Sequence, residues 1–417
     1  MPAKSSRIVS VPPSRAEAYL TARICVVGVG GSGGSAINRM IQAKIRGVEF
    51  IAINTDSQAL AQSQAQNRIQ IGTRTTRGLG AGMDPSKGRE AAIEDAEVIR
   101  ETLSGSDMVF ITCGMGGGTG SGAAPVVAEI ARDLGALTVA VVTRPFVFEG
   151  PQRRRIAEDA LAEISDRVDS VIVIPNDKIF SIIEKNTPIL DGFKIIDDVL
   201  RQGVQGISEM ITVPGIINVD FADVRTIMSN SGSAIMGIGQ AGGENRALEA
   251  AQSAISSPLL EQSMEGARGI LYVISGSQNV TAFETNEIAQ AIKASADPNA
   301  SIIFGLTIDP TLGEDIRVTL VATGFNSSMQ SNLKRQVIIP SVTKLSHTPE
   351  VSAQLSQSST QETQKESPAP RVPTVSSMQT NDVPLFMKRI TSKVEETNDP
   401  TDELDIPAFL RRKKGNP

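Results

Sequence analysis

Between Arg23 and Asn176 the chain repeats one unit: a short apolar run, a turn of Gly, Asn or Asp, then a stretch with apolar residues every three or four positions. The apolar runs are ICVVG (24–28), FIAIN (50–54), MVFITC (108–113), LTVAVV (137–142) and SVIVIPN (170–176). They are rich in Val and Ile and lack the alternation of a half-solvated strand, so they read as strands of a parallel sheet covered on both faces. Ile37, Met40, Ile41 and Ile45 mark one intervening helix, and Ile93, Ala96, Ile99 and Leu103 mark another over 91–103. Strand and helix in alternation predict a doubly wound α/β domain. A longer stripe over 191–212 (Ile195, Ile196, Val199, Leu200, Val204, Ile207, Met210, Ile211) predicts one long helix, closed by Pro214 and Gly215. Beyond it, strands are predicted near 233–239, 269–275, 301–308 and 316–323, with helices around 244–256 and 283–294, forming a smaller α/β layer.

Periodicity stops at about Asn326, where Ser, Thr, Gln, Pro and Asn take over. Such a segment cannot bury enough apolar surface to offset its ordering entropy and is expected to be disordered. The predicted organisation is therefore a flexible polar tail (1–20), a larger α/β domain (21–190), a central helix (191–213), a smaller domain (214–325), a disordered linker (326–400) and a terminal peptide (401–417). As a tether of about 75 residues, the linker has a reach of roughly 50 Å. Apolar character returns in DIPAFLRRKK (405–414), where Ile406, Pro407, Phe409 and Leu410 precede four basic residues. A lone patch of this kind has nothing local to pack on and suits a peptide that docks in a partner's groove.

Composition acts by exclusion. The 417 residues contain one histidine, no tryptophan, two cysteines and 3% aromatics. His347 lies in a polar Ser/Gln-rich stretch, which argues against histidine acid–base chemistry and multi-histidine zinc sites. Cys25 and Cys113 are far apart in apolar runs and read as core residues, with neither a disulfide framework nor a C-x-x-C site. A net charge of −6 with few aromatics argues against nucleic acid as a partner. The charge is split: residues 1–325 hold 28 Lys/Arg and 36 Asp/Glu, while 326–417 hold 12 and 10. The first 20 residues have no apolar core of a signal peptide, and no apolar run approaches the ~20 residues that span a bilayer. A soluble, cytoplasmic protein is expected.

Two glycine clusters carry the candidate chemistry. GVGGSGGS (28–35) lies between the first strand and first helix and contains Gly28-x-Gly30-x-x-Gly33. Glycines let a backbone approach phosphate oxygens, and the helix that follows presents a positive dipole end. With Asp56 at the end of the second strand, this alone suits a nicotinamide enzyme equally well, or a tight strand–helix turn. The second cluster, GMGGGTGSG (114–122), has six glycines in nine residues. That density is costly in chain entropy and suggests no packing reason. Thr119 and Ser121 add hydroxyls, and no Gly-Lys-Ser/Thr occurs anywhere. Two such loops in one sheet suit a nucleoside di- or triphosphate held by backbone amides and helix dipoles.

GGGTGSG between a strand and a helix, taken with the features below, resembles the FtsZ family of tubulin-like GTPases over about 22–325 and again at the extreme C-terminus. The resemblance implies a GTP/GDP site. In it, Gly31, Ser32, Gly33, Gly34 and Ser35 of the first loop and Gly117, Gly118, Thr119 and Gly120 of the second hold the phosphates. Asn54 and Asp56, with Ala81 and Gly82 of GLGAGMDP, flank the phosphates and a Mg²⁺ bound mainly through them, with no dedicated protein metal site. The family usually has asparagine at Ser35, and serine is shorter. Glu149 is implied at the ribose hydroxyls, Arg153 at ribose or phosphate, and Asn176 near the sugar. Phe193 is implied to stack on the purine, and Asp198 to accept from guanine N1–H and the N2 amino group.

NVDFAD (218–223), read alone, starts a helix with a routine acidic cap. The resemblance instead implies catalysis: Asn218, Asp220 and Asp223 meet the nucleotide of the next molecule and polarise the attacking water. Such a contact is heterologous and non-closing, so it builds filaments. The resemblance further implies a homopolymer that forms the division ring of bacterial cytokinesis at mid-cell, on the inner face of the membrane. Membrane-tethering division proteins of the FtsA, ZipA or SepF kind would bind residues 405–414, leaving membrane contact indirect. Taken one by one, these residues also have ordinary explanations: Glu149 and Arg153 as a helix-start ion pair, Phe193 as core, Asp197 and Asp198 as solvated helix positions. A dinucleotide-dependent oxidoreductase and a non-hydrolysing filament protein are the two alternative functions.

Overall fold

The computed structural model describes residues 22–325 apart from 182, 214 and 258–262. The expected tails at 1–20, 326–400 and 401–417, including the peptide 405–414, lie outside the described residues.

Five parallel strands form as their apolar runs require: β1 (Ile24–Val29), β2 (Val48–Asn54), then, after the short β3 (Asn67–Gln70), β4 (Met108–Gly114), β5 (Leu137–Arg144) and β6 (Ser170–Pro175). Alternate residues face opposite sides. Ile24 and Val26 of β1 join a core with Ile37 and Met40 of helix α1 (Gly30–Gln42) and Val204 and Ile207 of α7 (Ile189–Thr212). Cys25, Val27 and Val29 join the other core, with Ala124 and Val127 of α5 (Gly118–Asp133) and Leu161 of α6 (Pro151–Ser165). Because both faces are covered, the strands are apolar throughout. Both cysteines are buried and unlinked.

Three local expectations differ. β3 carries one buried residue, Ile69, so it gives no apolar run to read. A short α2 (Ser57–Ala61) precedes it, and between it and β4 the helix expected over 91–103 is two helices, α3 (Pro85–Glu94) and α4 (Ala96–Leu103). They part at Asp95, whose carboxylate accepts from Gly72 N–H at 2.7 Å, a tertiary demand invisible in the periodicity. α7 begins at Ile189, two residues before the expected start at 191 and straight after Pro188.

Past α7 come α8 (Phe221–Met228), β7 (Gly232–Ala241), α9 (Arg246–Ile255), β8 (Gly269–Gly276), α10 (Ala282–Ala294), β9 (Ser301–Ile308) and β10 (Ile316–Thr323). The strands form one sheet of ten in the order β3-β2-β1-β4-β5-β6-β7-β10-β8-β9. The smaller layer is therefore joined to the larger by the sheet as well as by α7, through parallel pairs from Ser170↔Gly232 to Ile172↔Ala234. The last strand fills the slot between β7 and β8 and runs antiparallel to both. α9 and α10 cover one face of this part, with Ala250, Ile288 and Ile292 against Ile270 and Leu320.

Arg246 ties these two helices together. It pairs with Glu284 at 2.5 Å, both largely buried, and Glu284 also closes the capping box of α10 with Thr281. The Arg246 guanidinium holds the Glu284 carboxyl down at about 2, against an ordinary 4.5. A depressed carboxylate stabilises the fold fully above 4.5, and the contribution is lost as pH falls from there towards about 2. Arg246→Ala should cost about 1.5–3 kcal/mol at pH 7. The gap to the parent chain should narrow in urea unfolding repeated at pH 3.

Candidate functional site

Both glycine clusters sit at the carboxyl ends of parallel strands, where α/β sheets place ligands. α1 starts inside the first cluster and α5 inside the second, and neither has a side chain capping its first amides. The two loops abut: a Cβ on Gly30 would lie 3.1 Å from the Gly120 nitrogen. Two hydroxyl contacts lock the loops: Thr55 Oγ1 to Thr119 Oγ1 at 2.6 Å, and Gly114 N–H donating to Ser32 Oγ at 2.7 Å.

The glycines divide into two kinds, which corrects the expectation that the second cluster has no packing reason. A Cβ on Gly122 would lie 2.0 Å from the Pro85 carbonyl oxygen, and one on Gly118 2.8 Å from the Ala81 Cβ. One on Gly120 would meet the Gly114 oxygen at 2.8 Å, and one on Gly33 the Thr112 oxygen at 2.5 Å. These glycines let α1 and α5 press against the sheet and α3. Gly31, Gly34, Gly82 and Gly117 have nothing within 4 Å of such a Cβ and leave open space beside the loops.

Around this cradle, Asn54 is buried and accepts from the Asp56 N–H at 3.2 Å. Asp56 caps α2 through the Gln58 and Ala59 amides, and an isolated bridge pairs it with Leu79, just before Ala81 and Gly82. Ser35 is exposed on α1. Glu149 and Arg153 do form the ion pair, at 2.5 Å, and the other Glu149 oxygen accepts from the Phe146 N–H. Asn176, at the end of β6, is buried with its Oδ1 lacking any hydrogen-bond partner, an orphaned acceptor that a ligand hydroxyl would satisfy. Phe193 is half-buried, with its ring edge-on to Phe146 at 5.6 Å.

Asp198 does not present a free carboxylate. Its oxygens accept from Arg201 at 2.6 and 3.2 Å and from Gln202 at 2.6 Å. Asp197 lies one turn after Phe193, about 40° round the helix from it, whereas Asp198 is about 140° away. That i, i+4 spacing was available in the sequence and singles out Asp197 as the acid on the Phe193 face.

The acidic loop lies at the other edge of the sheet. α7 leaves the carboxyl end of β6 and runs 24 residues, about 36 Å, back along the sheet. Its last turn meets Gly47 and the Arg46 carbonyl, just before β2 begins. Asn218 Oδ1 accepts from Gly215 N–H, and Ile217 bridges Leu306 of β9. Asp220 occupies the cap position of α8 but makes no side-chain cap hydrogen bond. Asp220 and Asp223 are exposed, and neither carboxylate has a hydrogen bond or ion pair among the described residues. The capping explanation therefore does not account for Asp220. Among the described residues no three His, Cys, Asp or Glu side chains gather as a metal cage. No described helix is long and apolar enough to cross a membrane.

Comparison with known families matches residues 23–184 to the GTPase domain of the Tubulin/FtsZ family and 232–326 to the FtsZ C-terminal domain. Among solved structures, an FtsZ dimer from M. jannaschii is 47% identical with a TM-score of 0.71, over 75% of this chain and 93% of that one. A variant of FtsZ from M. jannaschii is 49% identical at the same TM-score, over 74% and 92%. CetZ2 from Haloferax volcanii, in a GTPγS-bound protofilament, is 18% identical with a TM-score of 0.63, over 75% and 97%, a likeness of fold alone.

Proposed function

The chain belongs to the tubulin/FtsZ family and carries its GTPase domain, and from that premise we propose that it assembles head to tail into filaments whose GTP sites are each completed by the next subunit. Such filaments would form the division ring of a bacterial cell, on the inner face of the membrane, with tethering proteins of the FtsA, ZipA or SepF kind bound at 405–414.

One observation carries the reading: two exposed carboxylates, with no side-chain partner among the described residues, stand at the sheet edge opposite the phosphate cradle. One molecule cannot bring them together across a helix of about 36 Å. A second molecule stacked head to tail can. Exposed Leu79 and Met83 beside the cradle and exposed Ile216 and Ile217 beside the acids give the two ends apolar surface to bury against each other.

In this arrangement Gly31, Gly34 and Gly117 leave room for the phosphates, and the α1 and α5 amides hold them. Asn176, Glu149 and Arg153 face the sugar, and Phe193 packs against the base. Asp220 and Asp223, with Asn218 bracing their loop, orient the water at the neighbour's γ-phosphate. Mg²⁺ held by the phosphates would neutralise their charge. Positioning and electrostatics of this kind supply most of the rate of phosphoryl transfer.

For the base we propose Asp197 in place of Asp198, since it shares the Phe193 face. Asp197→Asn should weaken GTP binding about 10- to 100-fold through lost hydrogen bonds to a charged group. Asp198→Asn should leave affinity within about twofold and loosen α7 instead. Titration of both variants with labelled GTP and with ATP separates the two acids.

The proposed function is tested by following 90° light scattering and phosphate release together on purified chain with GTP and Mg²⁺. GTP-dependent scattering that decays as phosphate appears is expected. Scattering no greater with GTP than with GDP would overturn the reading.

A further inference from the structure

A hollow of about 350 Å³ opens at the amino edge of the sheet, between the end of α5, the start of β5 and α8. Two arginines line it. Arg132 donates to the Asp166 carbonyl and to Asn230 Oδ1, and Arg225 donates to the Gly135 carbonyl while lying over the Phe221 ring. All these acceptors are neutral. Neither guanidinium forms an ion pair among the described residues, and both are exposed. The one acid in the hollow, Asp169, spends its oxygens on the Thr138 and Asn230 amides at 2.9 and 3.2 Å. Two guanidinium groups therefore share one concavity with a single carboxylate, and neither is paired with it among the described residues.

The same chain holds a matching anion. Residues 395–405, EETNDPTDELD, carry six acids and no base, although 326–417 as a whole holds more basic residues than acidic ones. The six are the majority of the ten acids in that region and sit together just before the apolar patch at 406–410. From Phe325 to the middle of this run is about 75 residues, a length for which a free chain has an r.m.s. reach of roughly 45–50 Å. At that tether length the effective concentration lies near the millimolar range, so a modest affinity suffices for occupancy. Generic attraction does not explain such a contact, because residues 1–325 are net negative. It requires a local basic hollow, and this one can offer planar, forked donors suited to carboxylates.

We propose that the acidic run 395–405 docks in the Arg132–Arg225 hollow of its own chain. The contact stands whether or not the chain polymerises.

The test uses the full chain with GDP, carrying Thr401→Cys and Asp166→Cys as spin-label sites, since both natural cysteines are buried. Labelled chains are diluted in excess unlabelled chain so that only intrachain distances are read by pulsed electron resonance. A short-distance population is expected, and 0.5 M salt should abolish it by screening. It should also vanish in Arg132→Gln/Arg225→Gln, and in a tail whose six acids are changed to Gln or Asn, a variant that leaves the body untouched. A single broad distribution near the free-tether distance in the parent would overturn the proposal. So would a short-distance population that survives either variant.

Discussion

Replacing Asp220 or Asp223 by Ala is expected to leave GTP affinity unchanged and to lower turnover by about 10²–10³-fold, the usual consequence of removing one group that stabilises a developing charge. The expectation follows from where the two carboxylates are. They are exposed, make no cap hydrogen bond, and lie on the edge opposite the cradle, so on the proposed arrangement neither touches the chain's own nucleotide. Loss of affinity would mean that they act on their own subunit. Asn218→Ala should behave differently, because its Oδ1 holds the Gly215 amide and so braces the loop. It should lower turnover less and soften the loop, visible as faster amide exchange at 215–220. GTP binding and single-turnover hydrolysis on the same samples separate these effects.

Gly122→Ala should destabilise the chain by about 3 kcal/mol or more, whereas Gly117→Ala should leave stability within about 0.5 kcal/mol and weaken GTP binding instead. The two positions belong to one motif and differ only in surroundings. A methyl on Gly122 would sit 2.0 Å from the Pro85 oxygen and 2.7 Å from the Arg89 nitrogen, so α3 would have to move off α5. Gly117 has φ −94° and ψ 175°, which any residue adopts, and open space in front of it. On the proposed phosphate placement, its methyl would stand where phosphate oxygens approach the amides. Thermal unfolding without nucleotide, paired with GTP titration, resolves the contrast. Equal loss of stability in both variants would contradict the division of the glycines.

That division shows what the sequence held and what it did not. The five apolar parallel strands were legible because a sheet covered on both faces forces every residue of a strand to be apolar. β3 was not, since an edge strand with Ile69 alone inward has no pattern to show. The slot taken by β10 was also hidden, because pairing between distant strands leaves no local trace. At the site, the glycine loops could be found from composition, but the reason for each glycine lay in neighbours far along the chain: Pro85 and Ala81 for α5, Thr112 for α1. The choice between Asp197 and Asp198 was the reverse case. The family resemblance implies Asp198, although helical spacing puts Asp197 on the Phe193 face, and the Arg201 and Gln202 contacts of Asp198 appear only in the structure. Asn176 drew attention only by resemblance, yet its orphaned oxygen gives it a physical reason to await a ligand.

Everything proposed for catalysis depends on acids from one molecule acting at the nucleotide of another. Mixing two inactive chains tests this most directly: Asp220→Ala, with an intact cradle, and Gly117→Asp, which sets a carboxylate where phosphate must bind but keeps the acidic loop. Each alone should release phosphate at a small fraction of the parent rate. The mixture should recover a substantial part of it, because junctions form in which an intact cradle faces intact acids. A mixture no faster than the sum of its two components, with both chains incorporated into the same filaments, would contradict a site shared between subunits.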